Sequence, residues 1–201
     1  MNLISLLNGD DPVKIAKALI GVEIVSEIGG DFCRSAITET EAYWAPEDQA
    51  SHAKNNRRTA RTEVFYAAPG TAYVYLCYGI HELFNVVTGP AGTPHAVLIR
   101  AVEPITGTEK MLERRNMKIL KPHLTAGPGV LSKALGISRA HNGINLLESD
   151  AELRLEMTGP PVNSSEIVAT PRIGINYAGA PWVEKPWRFY RRNTPFVSKS
   201  R

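Results

Sequence analysis

The sequence predicts an α+β domain, and three observations carry that prediction. A capped amphipathic stretch near the start has helical spacing, two alternating stretches interrupted by glycine turns have strand spacing, and a glycine-bounded segment in the second half returns to helical spacing. At 201 residues, with 43% hydrophobic and 21% charged side chains, the chain suits one domain, residues 1–201, with a sizeable core. No internal repeat, low-complexity tract or linker divides it.

The elements follow in order. Asp11 and Pro12 make an N-cap and first helical residue, Val13, Ile15, Ala16, Leu19 and Ile20 an apolar stripe, and Gly21 a stop. Val22 to Ser26 and Arg34 to Tyr43, joined through Ile28-Gly29-Gly30-Asp31, read as a hairpin. Ala45 to Thr62 is a long polar loop rich in Arg57, Arg58 and Arg61, and loops of that length in compact domains are often functional. After Pro69-Gly70 the run TAYVYLCY alternates, pauses at a tip of Tyr78-Gly79-Ile80-His81, and resumes at Leu83 to Val87. A buried-looking strand, Ala96 to Val102, ends in Glu103-Pro104, and a helix covers Thr108 to Met117. Gly127-Pro128-Gly129 opens a further helix that Gly136 closes. Those glycines either let the backbone approach an anion or only start the helix; the second is the commoner case. Leu153 to Met157, Ile167 to Gly174 and Trp187 to Arg192 read as further strands.

The stretch ITETEAYWAPEDQASH, residues 37–52, carries the chemistry. Strict alternation puts Ile37, Glu39, Glu41 and Tyr43 on one face of a strand. Glutamate forms strands poorly and is seldom buried without a partner, so the choice lies between an edge strand with solvated carboxylates and a functional pair. Tyr73, Tyr75 and Tyr78 supply a second set of rings, and flat rings suit flat ligands such as nucleobases. For any one tyrosine a core ring is the commoner outcome; the set beside an arginine loop favours function. A net charge of +3 is mild evidence for a polyanionic partner. His52, His81, His95, His123 and His141 are scattered, Cys33 and Cys77 form no paired spacing, and neither a P-loop nor a dinucleotide fingerprint is present. No metal and no cofactor are therefore expected. The start of the chain lacks the charge pattern of an export signal and no segment approaches eighteen apolar residues, so no membrane span and a reducing cytoplasm are expected.

Several motifs in one order, TETEAY with PED and His52, PGTAYVYLCYGIHELFN, LIRAVEP, GPGVLSKALGI and RIGINYAGAPWVEKPWRFY, resemble the alkyladenine or 3-methyladenine DNA glycosylases over about Leu6 to Ser198. The resemblance implies a curved, mainly antiparallel sheet with a protruding β-hairpin and surrounding helices. It implies a monofunctional enzyme of base excision repair that removes alkylated or deaminated purines from double-stranded DNA. Glu41 is then the general base and Arg100 its partner in positioning water. Tyr43, His52, Tyr75 and Asn85 form the base pocket, with the backbone around His52 on the base edge. Tyr78 and Ile80 enter the duplex, and Arg57, Arg61, Gly127 and Gly129 hold the DNA backbone. Glu39, which periodicity leaves level with Glu41, takes a structural role. Where many members of the family carry lysine after the glycine pair this chain has Val130, and at the tip it has His81 where mammalian members have tyrosine. The absence of a long N-terminal extension suggests a compact, bacterial-type member, and a monomer in the cytoplasm, associated with the nucleoid, is expected. Two readings compete: a non-catalytic single-strand nucleic-acid binding module that stacks bases on tyrosines, and a nucleoside hydrolase, which would need no basic loop.

Overall fold

The computed structural model describes residues 2–199. Chain order runs α1 (Leu3–Leu7), α2 (Pro12–Ala18), β1 (Glu23–Ile28), β2 (Asp31–Trp44), β3 (Ala72–Cys77), β4 (His81–Thr88), β5 (His95–Thr106), α3 (Thr108–Arg114), α4 (Pro128–Leu135), β6 (Leu153–Glu156), β7 (Ile167–Thr170) and β8 (Arg188–Arg191). The eight strands form one open sheet in the order β3-β4-β5-β2-β1-β6, with β8 joining β2 and β7 joining β8. Every pairing is antiparallel. This is the α+β class that the sequence predicts.

Local chemistry accounts for the elements. Asp11 accepts from the Val13 and Lys14 amides and Pro12 opens α2, while Gly21 ends the turn with φ 91°. Gly29 and Gly30, at φ 69° and 81°, form the two-residue hairpin loop between the paired residues Ile28 and Asp31. The helix α1, which the sequence reading does not anticipate, is barely more than one turn; it is capped by Asn2 and holds Leu6 and Leu7 in the core. Strand β5 runs past Glu103-Pro104 to Thr106, further than expected, because Pro104 falls where the register with Arg34 and Ser35 shifts and no ladder donor is needed. β7 stops at Thr170 rather than Gly174.

The helices cover one face of the sheet. Ile24, Ile37, Phe84, Val86, Val97, Ile99 and Val102 pack there with residues of α2, α3 and α4. The opposite face carries a smaller cluster of Ala45, Ala53, Phe65, Tyr73, Val87 and Ala96.

One irregularity decides which side chains reach that second face. Along β2, Ile37 pairs with Val102, Glu39 with Ala101 and Thr40 with Ile99, so Thr38 and Arg100 are the extra residues of two adjacent bulges. Ile37 therefore lies in the helix-side core, and Thr40 also turns that way, donating to Ala16 O of α2. Between them Thr38 and Glu39 both turn to the other side, where they meet Phe196 and Ser198. The expectation that Ile37 shares a face with Glu39, Glu41 and Tyr43 is thus corrected: the bulge reverses the phase of the strand. The edge-strand reading also fails, since β2 is central and both glutamates are fully buried. Among the described residues no helix is long and apolar enough to cross a membrane.

Candidate active site

A row of cross-strand partners builds the site. Tyr73 of β3 pairs with Asn85 of β4, Asn85 with Leu98 of β5, Leu98 with Glu41 of β2, and Glu41 with Arg188 of β8. Directly opposed residues point to the same face, so this row forms the floor of one side of the sheet.

Glu41 is 0% exposed, with two hydrogen-bond donors and one ion-pair partner. Its Oε1 receives the Ile173 amide at 2.7 Å and faces Arg100 Nη1 at 3.2 Å, and its Oε2 receives the Tyr43 hydroxyl at 2.9 Å. The guanidinium and two hydrogen-bond donors compensate this carboxyl group for its lost hydration. Burial, and then the Glu41 charge, push the Tyr43 hydroxyl well above its ordinary value, so it stays protonated and remains a donor. Glu39, next on the same face, is bonded on both oxygens to Arg100, Arg188 and Ser198. Two arginines and both donors of Ser198 hold Glu39, where Glu41 has one arginine, and those partners separate the two glutamates, which periodicity cannot do.

Rings line the cleft beside Glu41, which is itself buried behind its lining. His52 Nδ1 lies 3.0 Å from the Tyr73 hydroxyl, and its ring meets Tyr75 edge-on with centroids 4.7 Å apart. Burial, with the positive charges of Arg61 and Arg57, lowers the His52 pKa to about 4, so its imidazole is neutral at physiological pH. Arg172 lies over Tyr43 at 4.8 Å and Arg61 over Tyr75 at 4.9 Å. Arg61 also donates to the Tyr73 hydroxyl at 3.3 Å, so it stands at the ring wall and not only on an outer basic surface. A cleft of ≈ 740 Å³ opens over these residues, lined by Tyr43, His52, Arg57, Arg61, Tyr75 and Arg100 on the sheet side. Its far side is formed by Tyr78, His81 and the Gly127–Gly129 turn. Asn85 is buried behind the rings, its amide donating to Tyr73 O at 3.1 Å, beside a void of only ≈ 30 Å³, room for about one water.

The hairpin β3–β4 projects from the sheet, because β4 pairs with β5 only from Asn85 to Thr88. At its tip Tyr78 is 89% and Ile80 73% exposed. Tyr78 has φ 51°, a left-handed conformation that costs an aromatic residue about 1 kcal/mol and that turns its ring outward. Gly129 has a packing reason to be glycine: a Cβ there would sit 2.8 Å from the His81 ring.

Sequence reasoning misses the groups that hold this arrangement. Arg172 and Asp48 form a fully buried pair at 2.6 and 2.9 Å, and Asp48 also accepts from the Trp44 and Ala50 amides, fixing the loop that carries His52. Tyr177, 68% exposed at the cleft, donates to Ala50 O at 2.9 Å. Asp48 in PED and Arg172 in RIG lie inside motifs already visible in the sequence, but no local pattern says that residues 124 apart meet. Among the described residues no group of three or more His, Cys, Asp or Glu is placed to hold a metal ion.

A buried carboxylate paired with arginine, an aromatic wall and a projecting hairpin describe an enzyme site for a flat, charged polymer unit. The model of the methylpurine-DNA glycosylase family matches residues 7–195. A protein of Bacillus cereus strain G9842 named "Putative 3-methyladenine DNA glycosylase" is 45% identical over 195 residues, which cover 94% of this chain and 95% of that protein. A protein of the same name from Bacillus anthracis strain CDC 684 / NRRL 3495 is also 45% identical over the same shares. The chain therefore belongs to the methylpurine-DNA glycosylase family. It is a DNA glycosylase, an enzyme of DNA repair whose substrate is DNA.

Proposed function

We propose that this glycosylase is monofunctional: it flips alkylated or deaminated purines from duplex DNA and hydrolyses the N-glycosidic bond with a water activated by Glu41, leaving an abasic site. The observation that carries the proposal is the buried Glu41 carboxylate, held by Arg100 and the Ile173 amide behind a wall of Tyr43, His52 and Tyr75.

A base in the duplex hides its glycosidic carbon, so it must leave the stack at a cost of a few kcal/mol. The exposed Tyr78 ring, with Ile80 beside it, can fill the opened step and offset that cost. Arg57 and the Gly127–Gly129 turn face the same cleft and suit the flanking phosphates. The flipped base meets the ring wall. Arg172 stands over the Tyr43 ring, while Tyr75 has Arg61 over it and Tyr73 stacked against it at 5.3 Å. Electron-rich rings favour a purine that alkylation has made cationic, and a neutral His52 adds no opposing charge. A cationic alkylated base leaves as a neutral molecule and needs no acid, whereas neutral hypoxanthine or ethenoadenine must take up a proton to leave as a neutral base. As the C–N bond breaks, its electron pair goes to the base and positive charge grows on the sugar. Ionised Glu41 stabilises that charge; it then takes a proton from the water whose oxygen bonds to the sugar carbon. Asn85 stands behind the ring wall, beside the ≈ 30 Å³ void, and shapes the pocket floor from there. One chain supplies every group in this scheme, so a monomer suffices, and 3-methyladenine, 7-methylguanine, hypoxanthine and ethenoadenine are the substrates to test.

The test is release of free base from single-lesion duplexes without added metal, followed by alkali to reveal abasic sites. Cleavage of the strand without alkali, or release that needs a metal, overturns the monofunctional, metal-free reading.

A further inference from the structure

Ser198, close to the end of the described chain, is tied into the active site by all its polar atoms. Its amide donates to Glu39 Oε2 at 2.5 Å, its hydroxyl donates to Glu39 Oε1 at 2.7 Å, and its carbonyl accepts from Arg188 Nη2 at 3.2 Å. The same hydroxyl oxygen accepts from Arg100 Nη2 at 3.3 Å. The segment that delivers it is anchored two residues earlier, where Phe196 is buried and its carbonyl accepts from Thr38 at 2.6 Å.

Arg100 is divided among three partners. Its Nε donates to Glu39 at 2.9 Å, its Nη2 to Ser198, and only its Nη1 faces Glu41, at 3.2 Å. The alternative geometry for an adjacent arginine and carboxylate is a bidentate fork, which is the stronger pairing. A fork on Glu41 would engage both carboxylate oxygens. In the observed geometry Oε2 has the Tyr43 hydroxyl as its one protein donor, so it keeps an acceptor site for water. What holds Arg100 back from the fork is the pair Glu39 and Ser198, with Arg188 balancing the second carboxylate at 2.6 Å.

We propose that Ser198 and Glu39 are positioning residues for the glycosylase reaction: the segment at residues 196–198, through Ser198, fixes Arg100 so that it touches Glu41 at one end and leaves Oε2 of the general base an acceptor position for the attacking water. This rests on the reading of Glu41 as the base. It gives the bulge at Arg100 and the four donors on Glu39 one purpose, and it ties residues 196–198 to the placement of the general base.

The experiment compares full-length wild type, Ser198→Ala, Ser198→Thr and Glu41→Gln by single-turnover excision, affinity for an abasic-site duplex, and Tm. Alanine keeps the main-chain bond to Glu39 and removes both hydroxyl bonds. Its excision rate is expected to fall on the order of tenfold or more, as for other displaced catalytic groups, with duplex affinity within about twofold and threonine restoring most of the rate. A wild-type rate in Ser198→Ala overturns the proposal, as does a loss confined to affinity or one that threonine fails to restore. If alanine unfolds the protein, the near-isosteric pair Ser198→Thr and Ser198→Val decides by the same comparison. Excision that survives in Glu41→Gln brings down the base assignment itself; inactive Glu41→Gln beside fully active Ser198→Ala brings down this proposal alone.

Discussion

Replacing Glu41 with glutamine isolates charge from shape. The amide is isosteric with the carboxylate, its oxygen can still accept from the Ile173 amide, and the Tyr43 hydroxyl can turn to accept from the new NH2 group. The change leaves Arg100 paired with Glu39 alone, at 2.9 Å, in place of two buried carboxylates. An arginine short of one partner costs about 1–3 kcal/mol, or a Tm lowered by several degrees in a domain of this size, so the protein stays folded. Catalysis suffers more. A carboxylate about 4 Å from a developing unit charge contributes about 4 kcal/mol at an effective dielectric near 20, a factor of about 10³ in rate. Loss of the proton acceptor acts on the same step, within a range of about 10²–10⁴ for general bases. The assay is single-turnover release of 7-methylguanine or hypoxanthine from a defined duplex, with affinity for an abasic duplex measured in parallel. Excision is expected to fall by about 10³ while affinity stays within a few-fold. A variant that keeps more than a tenth of the wild-type rate, or that loses binding in proportion to rate, would refute the assignment.

Further outcomes follow from other parts of the structure. Tyr78→Ala, at an exposed tip, should leave Tm unchanged and weaken abasic-duplex binding by about tenfold; unchanged affinity counts against the wedge. Arg57→Ala should lower the slope of log affinity against log salt by about one, with the rate at saturation intact, as read by anisotropy titrations at several salt concentrations. Asp48→Asn strands the buried Arg172, at about 3–5 kcal/mol, and should lower Tm by about 10 °C in a thermal melt. His52 has a folded pKa of about 4, below its unfolded 6.5, so only the unfolded chain gains its proton between those values. Its contribution is therefore complete above pH 6.5 and is lost as the pH falls towards 4, by up to about 3 kcal/mol. Urea unfolding of wild type and His52→Gln across that window should show the difference shrink; parallel curves would place the imidazole pKa elsewhere.

Much of the fold is written locally. Asp11-Pro12, Gly29-Gly30 and Gly136 mark their elements because a cap or a turn depends on a few neighbouring residues. The rings and the arginine loop were legible as a site because several motifs carry them together. The bulges at Thr38 and Arg100 were not legible, since a bulge belongs to the register of two strands some sixty residues apart and leaves no mark in either alone. For the same reason the sequence placed Ile37 beside Glu39. The two glutamates could be told apart only through Ile173, Arg188 and Ser198, whose distance along the chain no periodicity spans. The end of β5 was misjudged because Pro104 reads as a stop, yet it lies at a register shift where its missing N–H does no harm.

The phase reversal in β2 lets one strand answer to two sets of demands in succession. Up to Ile37 the odd-numbered positions, Cys33 and Ile37 among them, serve the interior; from Thr40 onward the even-numbered ones do, with Thr40 and Ala42 turned inward. A map of tolerated substitutions along the strand would change parity at Thr38. Deleting that single residue would leave Ile37 turned inward and both glutamates turned outward under plain alternation, so the strand would lose the Thr38 bond to Phe196 while every later side chain kept its face.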